Sequence, residues 1–256
     1  MNQFAFYRKV VALNSDVHRN LKFAAKEVNF SFASDTTAVL MAGIEFAEAA
    51  REYPIVFIRG KDKIMRPVAL LGVRKGENLF VDAKGKWDAR YIPAFVRRYP
   101  FVMAEGGPNG QLVVCIDEDC AALNSEHGEV LINTDGKLEP RMNEVIQFLE
   151  NFQREFVRTE LITKQLDELG LFVQQGARFD TKNGDSFQLN DFFMIDEAKF
   201  GKIPDEKLPK LFRSGALGLG YLHLASLGNM RKLLDRVAER SAAQKQSAPA
   251  ANTPLH

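Results

Sequence analysis

Apolar positions recur at helical spacing over residues 140–169. Val145, Phe148, Leu149, Phe152, Phe156, Ile162, Leu166 and Leu169 fall on one face. This period predicts a long amphipathic helix packed on a core. Glu150–Arg154 and Glu160–Lys164 are i,i+4 pairs for its solvated side, and Gly170 suits its C-terminal cap. A shorter helix is predicted over 44–52, with Ile44, Phe46 and Ala47 facing inward. Tyr53-Pro54 ends it, because a residue before proline is pushed out of the helical region. Strand patterns follow at 55–59, 68–73, 79–81 and 111–116, with turn-rich connections such as Ala83-Lys84-Gly85 and Gly106-Gly107-Pro108-Asn109-Gly110. No long helix separates them, so antiparallel pairing in one sheet is expected, with the long helix laid on it.

The remaining pattern fills out an α+β fold with a mainly antiparallel sheet, a long packed helix and a C-terminal helical segment. Strand-like pieces occur at 10–13 and 26–32, and Pro93 suits the first position of a helical turn over 93–98. Residues 171–179 and 186–195 read as a hairpin around Thr181-Lys182-Asn183-Gly184, since Asn-Gly favours a two-residue turn. Helices are expected over 204–213 and 217–240, the last with Met230, Leu233, Leu234 and Val237 on one side. One domain over 1–240 and a disordered Ala/Gln/Ser/Pro tail over 241–256 complete the organisation.

Composition narrows the function classes. The 256 residues carry a net charge of +1, against the basic excess a nucleic-acid or anionic-membrane protein usually needs. Twenty Phe stand beside one Trp and five Tyr, which suits a core of rings that need no hydrogen-bond partner. Cys115 and Cys120 flank Asp117, Glu118 and Asp119, an acidic setting that disfavours a reactive thiolate. They read as reduced structural thiols. The acidic trio lacks the ligand spacing of a calcium loop. The N-terminus does not read as a signal peptide, and the longest apolar run, 216–228, is too short and broken to span a bilayer. A cytoplasmic location is expected.

No phosphate loop, dinucleotide fingerprint, G-x-S-x-G or H-E-x-x-H occurs. The four histidines, His18, His127, His223 and His256, are scattered. No cofactor and no metal are expected.

Tyr53-Pro54-Ile55-Val56-Phe57, Leu71-Gly72 and Asn78-Leu79-Phe80-Val81-Asp82 lead into Trp87-x3-Tyr91-x-Pro93-x3-Arg97-Arg98-Tyr99-Pro100-Phe101 and then Val113-Val114-Cys115-Ile116-Asp117-Glu118. Together with Tyr221-Leu222-His223-Leu224-Ala225-Ser226-Leu227, these resemble the SapC family of bacterial proteins over roughly 44–234. The resemblance implies a cytoplasmic protein with an accessory role in surface-layer or outer-membrane uptake systems. It supplies no reaction and no catalytic residues.

Five residues stand out as binding candidates: Trp87, Tyr91, Arg97, Arg98 and His223. Aromatics beside arginine suit an anion, because guanidinium offers a planar fork and stacks on rings. They equally suit a protein hot spot. The competing view makes Trp87 and Tyr91 core wedges and the arginines solvated. His223 and Ser226, at i,i+3, lack an orienting acid and an oxyanion hole, so a satisfied core histidine competes with a catalytic one. Two functions stand: a non-enzymatic binding protein engaging a protein or peptide partner, or an enzyme or sensor for an acidic small molecule in a pocket near Tyr91, Arg98 and His223. Oligomeric state is left open.

Overall fold

The computed structural model describes residues 5–107, 110–180 and 186–247. The chain opens with β1 (Val10–Ala12), β2 (Lys22–Phe23), two 3-10 turns at Ala25–Glu27 and Phe30–Ala33, and β3 (Ala38–Leu40). A 3-10 turn at Gly43–Glu45 runs into α1 (Phe46–Ala49), followed by the hairpin β4 (Ile55–Arg59) and β5 (Met65–Leu70). Next come α2 (Ala94–Arg97), β6 (Phe101–Glu105), β7 (Leu112–Asp117), β8 (Leu123–Asn124) and β9 (Glu129–Val130). The long helix is α3 (Pro140–Glu168), and after it lie β10 (Phe172–Asp180) and β11 (Ser186–Ile195). Four helices close the chain: α4 (Glu197–Phe200), α5 (Leu208–Ser214), α6 (Ala216–Ser226) and α7 (Asn229–Ser247).

The strands form three antiparallel sheets, in the orders β10-β11-β4-β5-β3, β1-β7-β6 and β8-β2-β9. The fold is α+β, as the hydrophobic pattern predicts. The single sheet expected over 55–116 is not formed. The hairpin β4–β5 belongs to the five-stranded sheet, whereas β6 and β7 join β1.

The cause lies at 79–81, which makes only the isolated bridge Val81↔Trp87. The Leu79 and Val81 carbonyls are claimed by side chains of α7, and Phe80 O accepts the Asp88 N–H at 2.7 Å. Arg236 donates to Leu79 O at 3.2 Å, and Arg240 donates to Asn78 O and Val81 O, each at 2.8 Å. Asn78 Oδ1 takes the Phe80 N–H at 2.9 Å. Groups satisfied this way are not open to a neighbouring strand. Gly72 fits the same loop tightly: a Cβ there would lie 2.1 Å from the Glu77 carbonyl oxygen.

Three other boundaries differ. Residues 26–32 form 3-10 turns rather than a strand, with Asn29 Oδ1 accepting Ser31 N–H at 2.8 Å. The second hairpin strand is Met65–Leu70, because Met65 is buried opposite Arg59. The last helix is two. Ser226 Oγ donates to His223 O at 2.6 Å, and Asn229 opens α7 with its amide on Ala50 O at 2.6 Å. Helix α7 runs to Ser247, past the boundary at 240. The expected hairpin tip at 181–184 and the tail from 248 lie outside the described residues.

Helix α3, about 43 Å long at 1.5 Å per residue, serves two cores. Met142 and Leu149 join Phe23, Phe101, Ile116, Leu131 and Ile132. Farther along, Phe152, Ile162 and Leu166 join the larger cluster under the five-stranded sheet. Thr163 Oγ1 ties α3 to Met65 O at 2.7 Å. Phe148 touches both clusters and is only partly buried. A cleft opens there.

Candidate functional site

The Trp87 segment folds inward. Trp87 is 5% exposed and donates its indole N–H to Tyr53 Oη at 2.9 Å. The Tyr53 hydroxyl donates in turn to the Tyr91 carbonyl. Tyr91 Oη donates to Glu45 Oε1 at 2.7 Å. Glu45, 5% exposed, also accepts Ala94 N–H at 2.7 Å and Ala42 N–H at 2.9 Å. A buried carboxylate is tolerated when donors surround it, and these donors fix the start of α2 against α1. Burial raises the Tyr53 phenol above its ordinary range; burial and the neighbouring Glu45 do the same for Tyr91. The sequence pattern does not reveal the polar roles of Glu45 and Tyr53, since Trp87, Tyr91 and Ala94, which they bind, are more than thirty residues away.

Arg97 and Arg98 diverge. Arg98 is 6% exposed, with its guanidinium carbon 3.9 Å from the Phe95 ring centroid and 5.5 Å from that of Phe152. It hydrogen-bonds Tyr7, whose hydroxyl donates to Phe101 O at 2.7 Å. Burial lowers the Arg98 pKa. Arg97 is exposed. Its Nε–H donates to Ile92 O at 2.9 Å, and its guanidinium stands 5.4 Å from the Phe148 ring centroid and 5.7 Å from that of Tyr91. Among the described residues, no carboxylate forms an ion pair with Arg97.

His223 is elsewhere. It is fully buried and bridges two strands where their ladder stops. Strands β4 and β11 pair at Phe57↔Phe193. Beyond that pair, Nδ1–H donates to Ile55 O at 2.8 Å and Nε2 accepts Ile195 N–H at 3.1 Å. These partners require the neutral ring protonated at Nδ1. Burial lowers its pKa to about 4. Ser226 Oγ accepts Ile55 N–H at 3.0 Å while donating to His223 O. Both side chains are occupied by backbone, so the pair offers no activated nucleophile.

An open cleft of about 420 Å³ lies beside α2 and the first half of α3. Phe23, Phe30, Phe101, Val145 and Phe148 give it apolar walls, and Arg97, Arg98 and Arg141 give it cations. Tyr91 and His223 are not in its lining. Val145 and Phe148 belong to the helical stripe read as core; they stay half-buried because this stretch of α3 faces the cleft. Arg141 is engaged by Glu144 at 2.8 Å and lies 3.7 Å from Glu129. Among the described residues, no group of three His, Cys, Asp or Glu converges as a metal site, and no helix is long and apolar enough to cross a membrane.

A family model described as SapC matches residues 13–233. The chain belongs to the SapC family. The match begins about thirty residues before the stretch that carries the sequence resemblance, so β2 and its Phe23 wall are part of the SapC unit. Comparisons with curated proteins and with solved structures gave no match.

Proposed function

We propose that this SapC protein is a binding protein whose ligand is a small anion with an apolar body, seated in the Phe–Arg cleft. One observation carries the reading: Arg97, with no ion-pair partner among the described residues, stands over Phe148 at a largely apolar cleft. The volume falls in the range of small-molecule sites, about 300–1,000 Å³. A guanidinium held over rings recognises a carboxylate or sulfonate through paired N–H donors. Arg97 is assigned to the ligand. Trp87, Tyr91 and Arg98 are assigned to the scaffold that holds α2 in place, and His223 to the staple between β4 and β11. The buried rings of Trp87 and Tyr53 leave no flat aromatic patch at this segment for a protein partner.

The reading includes an accessory role in a bacterial surface-layer or uptake system, which rests on the family. It also includes a cytoplasmic location, supported by two free buried cysteines. The probe is 1-anilinonaphthalene-8-sulfonate, an aromatic anion that brightens in apolar sites. It should bind with one-to-one saturation, and Val145→Trp, which fills the cleft, should abolish the signal while the protein still melts cooperatively. Absence of saturable binding, or equal binding by Val145→Trp, overturns the reading.

A further inference from the structure

The two ends of the cleft carry opposite charge. At the Phe148 end, Arg97 has only carbonyl, hydroxyl and ring partners among the described residues. Glu45 lies behind Tyr91, outside the lining, with its oxygens engaged by Tyr91 Oη and two backbone N–H groups. At the other end, Glu144 and Glu129 both approach Arg141, at 2.8 Å and 3.7 Å. Glu144 lines the cleft and Glu129 stands just outside the lining, so the Arg141 guanidinium is shared between two carboxylates and leaves Glu144 only partly neutralised. Glu144 keeps 65% of its side chain exposed, so a ligand can reach it.

Helix α3 sets the spacing. Arg141, Glu144, Val145 and Phe148 follow i, i+3, i+4, i+7, which places them on one face. From Phe148 back to Glu144 is four residues, about 6 Å of rise, and back to Arg141 about 10 Å. Val145 lies between, in a lining shared with Phe23 and Phe101. The preferred ligand therefore has an anion and a cation about 6–10 Å apart, joined by an apolar body. An extended chain advances about 3.3–3.6 Å per residue, so two or three residues span that separation.

Resting on the binding reading above, we propose that the ligand is a short apolar peptide with both termini free. Its carboxylate meets Arg97, its side chains lie among the phenyl rings, and its ammonium meets Glu144.

The experiment measures displacement of 1-anilinonaphthalene-8-sulfonate by Phe-Phe, N-acetyl-Phe-Phe and Phe-Phe-amide, on the full chain and on Glu144→Gln. Phe-Phe should compete best, with at least a fivefold loss on blocking either end. In Glu144→Gln the preference for Phe-Phe over N-acetyl-Phe-Phe should shrink at least threefold. Equal competition by the free and acetylated peptides removes the cation from the account but leaves the anion site standing. Failure of Phe-Phe to compete overturns the peptide assignment. Equal competition by the amide as well removes the anion from the account, and absence of saturable sulfonate binding takes the binding reading down with it.

Discussion

Arg97 and Arg98 are adjacent in the chain and opposite in setting. Arg98 turns inward over Phe95 and Phe152 and bonds Tyr7. Arg97 turns outward over Phe148 at the lip of the cleft. The same contrast separates the larger regions that they join. The Trp87–Tyr53–Tyr91–Glu45 chain and the His223–Ser226 staple are dense in polar chemistry, yet their hydrogen bonds are consumed inside the fold. The cleft wall is mostly Phe and Val, and among its cations Arg97 has no ion-pair partner among the described residues. Residue types suggestive of a site thus mark the scaffold, and the opening lies where the core pattern is left incomplete.

The largest effects should fall on the scaffold. Phe152→Ala removes a buried ring from between Phe95 and Phe156. It should cost about 3–5 kcal/mol in urea unfolding. Phe156→Ala, at a half-buried position, should cost less. Equal small effects would dissolve the distinction between core and rim on α3.

The sequence made much of this scaffold legible. The hairpin β4–β5, the helix at 140–168 and the α+β class follow from local period and turn chemistry. The split into separate sheets does not, because it depends on Arg236 and Arg240 binding carbonyls about 160 residues away. The cleft was half legible. Arg97 is a natural candidate beside its aromatics. Phe148 and Val145 were hidden in the stripe, since periodicity fixes which face points inward and not whether that face is fully covered. His223 shows the converse: its neighbours Ser226 and Tyr221 suggest chemistry, and only burial among backbone groups reveals a structural role.

The next effect is pH dependence. His223 has a folded pKa lowered to about 4 against about 6.5 unfolded. The unfolded chain therefore binds the extra proton first as pH falls. The contribution is complete above pH 6.5, drains away between about 6.5 and 4, and levels off below. The span corresponds to about 3 kcal/mol. His223→Gln, which retains a donor and an acceptor without the proton, should flatten this part of the urea-midpoint profile. A profile unchanged by the substitution would place the acid sensitivity elsewhere.

Smaller again is Arg98→Lys. A lysine keeps the charge and loses the flat contact with Phe95, so about 1–2 kcal/mol should go, a few degrees in melting temperature. A thermal melt identical to the parent's would move Arg98 out of the scaffold.

The most direct measurement pairs Arg97→Ala with Arg98→Lys, each followed by a thermal melt and a titration with 1-anilinonaphthalene-8-sulfonate. Arg97→Ala should lose at least tenfold in affinity, about 1.4 kcal/mol. Its melt should stay close to the parent's, because an exposed side chain contributes within about 0.5 kcal/mol. Arg98→Lys should show the reverse, a lower melt with affinity nearly kept. Full affinity in Arg97→Ala, or a melt that falls as far as that of Arg98→Lys, would contradict the division between scaffold and site.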